Sequence, residues 1–328
     1  DGLGIALPAG PLQPRHVGAK PWTHVLLAEN VVEELRELGG QQIVRPLGGD
    51  AFQDLDGAQI VVGMPYRQRL MQRAHPRVVC EGMGVSLPGR VDASGRLVFA
   101  PNLRWRDIDL ASLLEAAIGL PVVIENAANA CALAELWFGR HPEHIRHLLA
   151  VTVSEGIGVG LLVNGQLLHG GQAMAGEFGH VTIDEHGPPC PCGKRGCWER
   201  YASNSAAVQH YVHGPSSTVV DIPRFEDLMR FAEQGDRRAE QALERMARYL
   251  GFGLAGLATG LAPEVIVVIG EMTAAWDRLG PIVLDEVTKR TLPHVTSQIV
   301  PTDPSPQPRP RGAVTLVVQQ HFGAPSVA

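Results

Sequence analysis

Aromatic residues are scarce in this chain, 5% of 328, and charged residues reach only 19%, with a net charge of −6. Each shortage excludes something. No apolar stretch approaches the roughly 18 consecutive residues that a membrane-spanning helix needs, so the expectation is a soluble protein with no membrane partner. Asp1 to Gly10 has no basic stretch ahead of its apolar residues, which argues against a secretory signal. A mildly acidic balance is a poor footprint for direct binding of nucleic acid. No G-x-x-x-x-G-K-S/T phosphate loop occurs, and no internal repeat marks a solenoid. Cysteine is sparse too: Cys80, Cys131, Cys190, Cys192 and Cys197. An odd count with three members inside eight residues is the pattern of a metal site in a reducing compartment, here the cytoplasm, rather than of a disulfide framework.

What is present is alternation. Gly82 to Leu87 is a strand stopped by Pro88-Gly89, Leu110 to Ile118 has helical spacing, and Leu120 to Ile124 is a buried strand. Asn129 to Phe138 is helical. His147 to Val153 and Ile157 to Val163 are strands, and Asn164-Gly165 turns the second toward Gln166 to Leu168. Asp236 to Leu261 is a long helix, glycine-rich in its later part and stopped by Pro263, and Val265 to Ile269 is a β-branched strand of the kind buried in a parallel or mixed sheet. Strands alternating with helices imply an α/β fold. The length favours two domains. Pro301 to Pro310 holds five prolines and reads as a surface connector, after which Gly312 to Phe322 resumes an apolar pattern. The first 75 residues are the least legible.

Pro189 to Glu199 reads PCPCGKRGCWE. Cys190, Cys192 and Cys197 put three thiolates within reach of one tetrahedral ion, and Gly193 and Gly196 permit the reversal that brings the third back to the first two. A closed site needs a fourth ligand. His180 lies ten residues earlier, and His186 competes for the place. A Cys3His set suits zinc better than a hard, oxygen-loving cation. Such a site is structural: it fixes the loop, Glu199 just beyond it, and His180.

Glu177 and His180 are three apart in GEFGH, one face of a helical turn. Two carboxylates and an imidazole beside a stiffened loop suit the vicinal hydroxyls of a sugar, although Glu177 taken alone also reads as a capping or surface acid. Asn126 follows a buried strand, where α/β sheets bind ligands, and reads equally as the cap of the next helix. Ser154 to Gly160 (SEGIGVG) reads either as half a phosphate cradle or as a glycine-rich hairpin.

Glu125 to Gly139 (ENAANACALAELWFG), SEGIGVG, GEFGH and CPCGKRGCWE, with Pro101 to Trp105 (PNLRW) and Pro263 to Glu271 (PEVIVVIGE), follow one another in an order that resembles the ROK family of repressors, open reading frames and kinases, over roughly residues 78 to 323. The resemblance implies a two-domain actin-like ATPase (ribonuclease H-like) α/β fold with a sugar in its cleft. It implies a smaller N-terminal domain, 1–125, completed by 312–328, and a larger one, 126–311, carrying the zinc motif. It makes Asn126, Glu177, His180 and Glu199 sugar-contacting positions, with His180, Cys190, Cys192 and Cys197 on a structural Zn2+, in a homodimer or homotetramer.

Two departures bear on activity. Kinases of the family carry Asn-Asp where this chain has Asn126-Ala127, and that aspartate is the expected general base for phosphoryl transfer. Their D-x-G-x-T phosphate motif is degenerate here: Val17 to Thr23 (VGAKPWT) has lysine, proline and tryptophan in its place. No catalytic residue is therefore assigned, and the expectation is a sugar sensor of a transcriptional regulator, with an ATP-dependent sugar kinase as the alternative. The helix pattern Glu29 to Leu38 has four glutamates and one arginine, unsuited to phosphate contact, so DNA would be bound only through a domain not evident in this chain.

Overall fold

A computed structural model describes residues 45–47, 51–53, 59–62, 82–302 except 93, 101–104, 143–144 and 214–221, and 308–322. Val17 to Thr23, Glu29 to Leu38 and Cys80 lie outside the described residues.

The first sheet is ordered β1 (Arg45–Leu47), β2 (Ala51–Gln53), β3 (Gln59–Val62), β4 (Met83–Leu87), β8 (Val122–Asn126). Its last pair is parallel, the others antiparallel. A separate three-stranded antiparallel sheet, β5 (Arg90–Val91), β6 (Leu97–Ala100) and β7 (Trp105–Ile108), follows β4 and leads into helix α1 (Leu110–Ile118). Asp109 caps α1 by accepting from the Ser112 amide at 3.2 Å, and Gly119 closes it with φ 68°. Alternation sorts the faces of β4. Met83, Val85 and Leu87 join Leu110, Leu114 and Ile124 in one core, while Gly84 lies against the last helix.

Helix α2 (Ala127–Phe138) leads to the second sheet, ordered β11 (Gln166–Leu167), β10 (Ile157–Val163), β9 (Leu148–Val153), β12 (Val265–Ile269), β13 (Gln298–Pro301). β12 runs parallel to both neighbours, and β9–β10–β11 is an antiparallel meander whose second turn has Asn164 and Gly165 at φ 53° and 72°. Both faces of this sheet are covered. Leu149, Val151 and Val153 pack against Leu243, Met246 and Leu250, and Leu148 and Ala150 pack against Cys131, Leu133 and Leu316. The first set of partners comes from helix α5 (Arg237–Leu261), which follows α3 (Asn204–Val212) and α4 (Phe225–Glu233). Asp236 caps α5 by accepting from the Arg238 amide at 2.8 Å, and Ala262, at φ 45° just before Pro263, ends it. Helix α6 (Trp276–Thr288) packs along α5.

Two of the boundaries that differ from the sequence reading have a plain physical reason. β8 starts at Val122 rather than Leu120, because Gly119 and Leu120 are spent on leaving α1, and it continues to Asn126 because pairing with β4 holds to Leu87. The proline-rich segment is not a plain connector. Pro301 pairs with Val268 in β13, and helix α7 (Pro308–Phe322) already begins at Pro308. Proline suits a first helical turn, whose amides have no intrahelical partner. α7 lies between β4 and α2, with Gly312 against the Ala130 backbone.

The glycines late in α5 are of two kinds. A Cβ on Gly253 would lie 1.9 Å from the indole of Trp198, which is buried and donates from Nε1 to the Tyr249 carbonyl at 2.7 Å. Among the described residues, a Cβ on Gly256 would meet nothing within 4 Å. Gly253→Ala is therefore expected to lower stability by about 1–3 kcal/mol through overpacking, and Gly256→Ala to raise it by up to about 1 kcal/mol through helix propensity. Urea unfolding midpoints of the two variants check this. Shifts of the same sign would contradict it.

Candidate functional site

Strand β10 organises the site through side chains it lacks. A Cβ on Gly160 would fall 2.2 Å from the Ala128 carbonyl oxygen, and one on Gly158 would fall 3.0 Å from Ala128 Cβ, so the first turn of α2 rests directly on the strand. The turn Glu177–His180 rests on it too, since a Cβ on Gly179 would lie 2.2 Å from the Ile157 carbonyl. At the hairpin tip, Gly156 faces the Glu199 carboxylate. Gly158 and Gly160 of SEGIGVG thus seat the helix and Gly156 faces the acid, while Gly179 seats the turn. Of the two readings of SEGIGVG, the hairpin is the one the structure takes.

Against this strand four potential ligands converge. His180, Cys190, Cys192 and Cys197 each offer an atom, all within 4.8 Å of one another. His180 Nδ1 is 3.6 Å from Cys190 Sγ, and Cys192 and Cys197 Sγ are 3.6 Å apart. A tetrahedral ion with bonds of about 2.0–2.3 Å separates neighbouring ligand atoms by roughly 3.5–3.8 Å, whereas a disulfide needs about 2.05 Å. Spacing and donor chemistry both fit a metal ion. His180 is the histidine in this set. His186 is solvent-exposed beside Glu185, outside the cluster. The loop is framed by backbone bonds, including Cys190 N–H to the Lys194 carbonyl at 2.8 Å and Ile183 N–H to the Gly196 carbonyl at 2.8 Å, and Gly196 has φ 64°. Burial pushes the Cys190 and Cys197 thiols up. It pushes Cys192 the same way, but the Lys194 amide and the two neighbouring thiols outweigh it and bring Cys192 below its ordinary value. An entering cation takes the place of the thiol protons.

The acids stand at the edge of this cage. Glu199 Oε1 is 3.3 Å from His180 Nδ1 and accepts from Cys190 Sγ at 3.1 Å. Glu177 Oε2 is 3.8 Å from His180 Nε2. One imidazole nitrogen therefore faces the thiols and the other faces Glu177, an arrangement that lets a single histidine serve a metal and a ligand. Glu199 is held by its neighbour, because Trp198 is pinned against α5. Tyr201 adds a second tie, its hydroxyl donating to Asp184 Oδ2 at 2.7 Å.

The structure brings Glu177, His180 and Glu199 together around the cysteines. It gives Asn126 the work of a cap: Oδ1 accepts from the Ala128 and Asn129 amides at 2.8 and 3.3 Å, and Nδ2 donates to the Gly89 carbonyl at 2.8 Å. Sequence reasoning missed a network at the same strand end. Buried Glu125 accepts from the Asn126 amide at 2.7 Å, from Asn129 Nδ2 at 3.0 Å and from His169 Nε2 at 2.8 Å. His169 is 44 residues away in sequence, and no local pattern announces that pairing.

The ROK family profile matches residues 68–319. The chain belongs to the ROK family. It is 33% identical over 243 residues to a xylose repressor of Bacillus spizizenii, covering 74% of this chain and 62% of that protein. Among solved structures, a ROK family transcriptional regulator described as a homologue of the E. coli MLC protein superposes with TM-score 0.66 at 26% identity, over 78% of this chain and 67% of that one. A ROK family glucokinase from Streptomyces griseus, in complex with glucose and AMPPNP, superposes with TM-score 0.64 at 28% identity, over 81% of this chain and 94% of that one. The architecture is the α/β actin-like ATPase fold of ROK sugar kinases and regulators. Among the described residues, no helix of this ROK protein is long and apolar enough to cross a membrane.

The His169–Glu125 pair gives a pH prediction. The hydrogen bond to Glu125 raises the His169 imidazole above its ordinary range, against the opposing effect of burial. A raised folded-state value stabilises fully below the unfolded value of about 6.5, and that stabilisation is lost as pH rises through the folded value. The gap in melting temperature between wild type and Glu125→Gln should therefore narrow as pH rises from about 5.5 to about 8.5. A gap independent of pH would contradict this role for the pair.

Proposed function

We propose that this chain is the sugar-sensing domain of a ROK transcriptional regulator, that it binds a monosaccharide or derivative without phosphorylating it, and that its His/Cys cluster holds one structural zinc ion. The observation that carries the reading is a contrast within one site. Glu177, His180 and Glu199 converge at the metal cage, while the residue after Asn126, at the first position of α2, is Ala127. The hydroxyl-binding half is present, and the position that would hold a base has a methyl group.

Glu177 and Glu199 accept hydrogen bonds from sugar hydroxyls, His180 Nε2 faces the same ligand, and Asn126 retains one Nδ2 hydrogen beside the one given to Gly89. When bound, zinc would be held by His180, Cys190, Cys192 and Cys197 and would supply rigidity only, since four protein ligands close its coordination. In this reading residues 1–125 with 312–328 form the smaller lobe, residues 126–311 form the larger, and the sugar lies between them. DNA would be contacted only through a domain not evident in this chain. The similarity to repressors supports the reading, and the similarity to a glucokinase keeps phosphoryl transfer as the alternative. A missing base costs about 10²–10⁴ in rate.

Metal analysis of the purified protein should give one zinc per chain. Cys192→Ser should lose it and lower the melting temperature by about 5–10 °C. Zinc-free protein with three titratable thiols in residues 190–197 would refute the metal assignment.

Calorimetry over a panel of neutral sugars, N-acetyl sugars and sugar phosphates should detect binding to wild type. Glu177→Ala should weaken it by about 10- to 100-fold, the loss of a charge-assisted hydrogen bond, with zinc retained. A coupled assay should show no sugar-dependent ADP formation above an Asn126→Ala control. Turnover clearly above that control would replace the sensor with a kinase.

A further inference from the structure

We infer that the sugar bound here carries an anionic group, a phosphate monoester or a carboxylate, received by Arg90. The inference rests on the sugar-sensor reading above and deepens it. Arg90 begins β5, directly after Gly89, whose carbonyl accepts from Asn126 Nδ2 at 2.8 Å. Its backbone is thus tied to the strand end that carries the proposed sugar contact. Its side chain is poorly partnered. Nη1 lies 3.2 Å from Met174 Sδ, and Nε is buried with no hydrogen-bond partner among the described residues. Among the described residues, Arg90 forms no ion pair. Its cross-strand neighbour is Phe99, and the ring of Phe99 is covered by the Arg106 guanidinium at 4.4 Å. The cross-strand row that starts at Arg90 therefore ends in a second cation, and Asp107 of the same strand as Arg106 is paired with Arg96.

A guanidinium presents five N–H donors in a planar fork and keeps its charge at any physiological pH. A thioether is a weak acceptor, and a buried donor with no acceptor is costly. What satisfies such a group is a pair of anionic oxygens, one on Nε and one on an Nη, the bidentate geometry of carboxylate and phosphate recognition.

The segment facing Arg90 is held against it. His169 ties its base to Glu125 at 2.8 Å. Gln172 and Ala173 then adopt φ 56° and 52°, a region that side-chain-bearing residues rarely occupy, and Met174 follows over Arg90. Non-glycine residues persist there only when the surroundings impose it. Three residues after Met174 comes Glu177, no more than roughly 10 Å along the chain. An upper limit of that size leaves room for a monosaccharide with one substituent. Glu177 and Glu199 repel an anion at their end, so a charged sugar enters in one orientation, with hydroxyls toward the acids and the anion toward Arg90. On binding, the anion displaces the sulfur of Met174 from Nη1.

The test is calorimetry on zinc-loaded protein with glucose, mannose, galactose and N-acetylglucosamine, each with its 6-phosphate, together with glucuronate and galacturonate. At least one anionic sugar should bind ten-fold or more tightly than its neutral parent, and the preferred arm separates phosphate from carboxylate. Arg90→Gln should raise the Kd of that sugar to the level of the parent. Arg90→Lys keeps the charge but not the fork and should lose part of the advantage. It also serves as the readout if the glutamine variant melts abnormally. Neutral sugars binding as tightly as their charged counterparts, or an advantage that survives Arg90→Gln, would overturn the inference and leave the sensor standing. Absence of binding by every sugar would bring down the sensor reading, and the inference with it.

Discussion

Four ligand atoms drawn within 4.8 Å of one another set the shape of the site. His180 comes from a turn seated on β10, and the cysteines come from a loop with almost no regular secondary structure of its own. An ion held between them would join the two segments at a point where, among the described residues, backbone pairing is limited to isolated bridges such as Thr182 with Cys197 and Pro189 with Arg195. The residues at the margins inherit their positions from that junction. Glu177 precedes His180 on the same turn. Glu199 follows Cys197 by two residues, and between them Trp198 is locked into the groove that Gly253 leaves open. Binding groups on irregular backbone need such a brace, because the entropy of a free loop would otherwise oppose every contact.

The second constraint is what β10 omits. Alternating glycines in a buried strand cost packing and β propensity, yet here they let the start of α2 approach its backbone, and Gly176 and Gly179 let the Glu177 turn do the same. The end of β8, the cap of α2 and the metal cage are thereby drawn into one neighbourhood. The same glycines that superficially resemble a phosphate cradle serve close packing.

Much of this was legible in the sequence wherever the signal is local. The helix Leu110 to Ile118 and the strands Ile157 to Val163 and Val265 to Ile269 were bounded correctly by periodicity and turn residues, and Asp236 and Pro263 bracketed the long helix. Three cysteines at tight spacing announced the cage. Other features depend on partners far along the chain and leave no local trace. The end of β8 was placed two residues early because only pairing with β4 extends it. Asn126 offered a binding and a capping reading, and its amide oxygen is committed to the cap. Glu125 with His169, Trp198 with Gly253, and Arg90 with Met174 are separated by 44, 55 and 84 residues and became visible only in three dimensions. α7 starts inside the proline-rich run because prolines that forbid a helix interior are tolerated in its first turn.

Family membership fixes the scaffold but not the chemistry, since the relatives include repressors and glucokinases alike. On the sensor reading the metal cage is a prerequisite for holding the ligand rather than a separate stabilising feature. The most direct measurement is the affinity of one protein preparation for its best sugar as isolated, after removal of the metal by a chelator, and after zinc is restored, with circular dichroism confirming that the fold persists throughout. Affinity should fall by at least ten-fold on stripping and return on repletion. An affinity unchanged between folded apo and zinc-loaded protein would contradict that dependence of ligand binding on the metal.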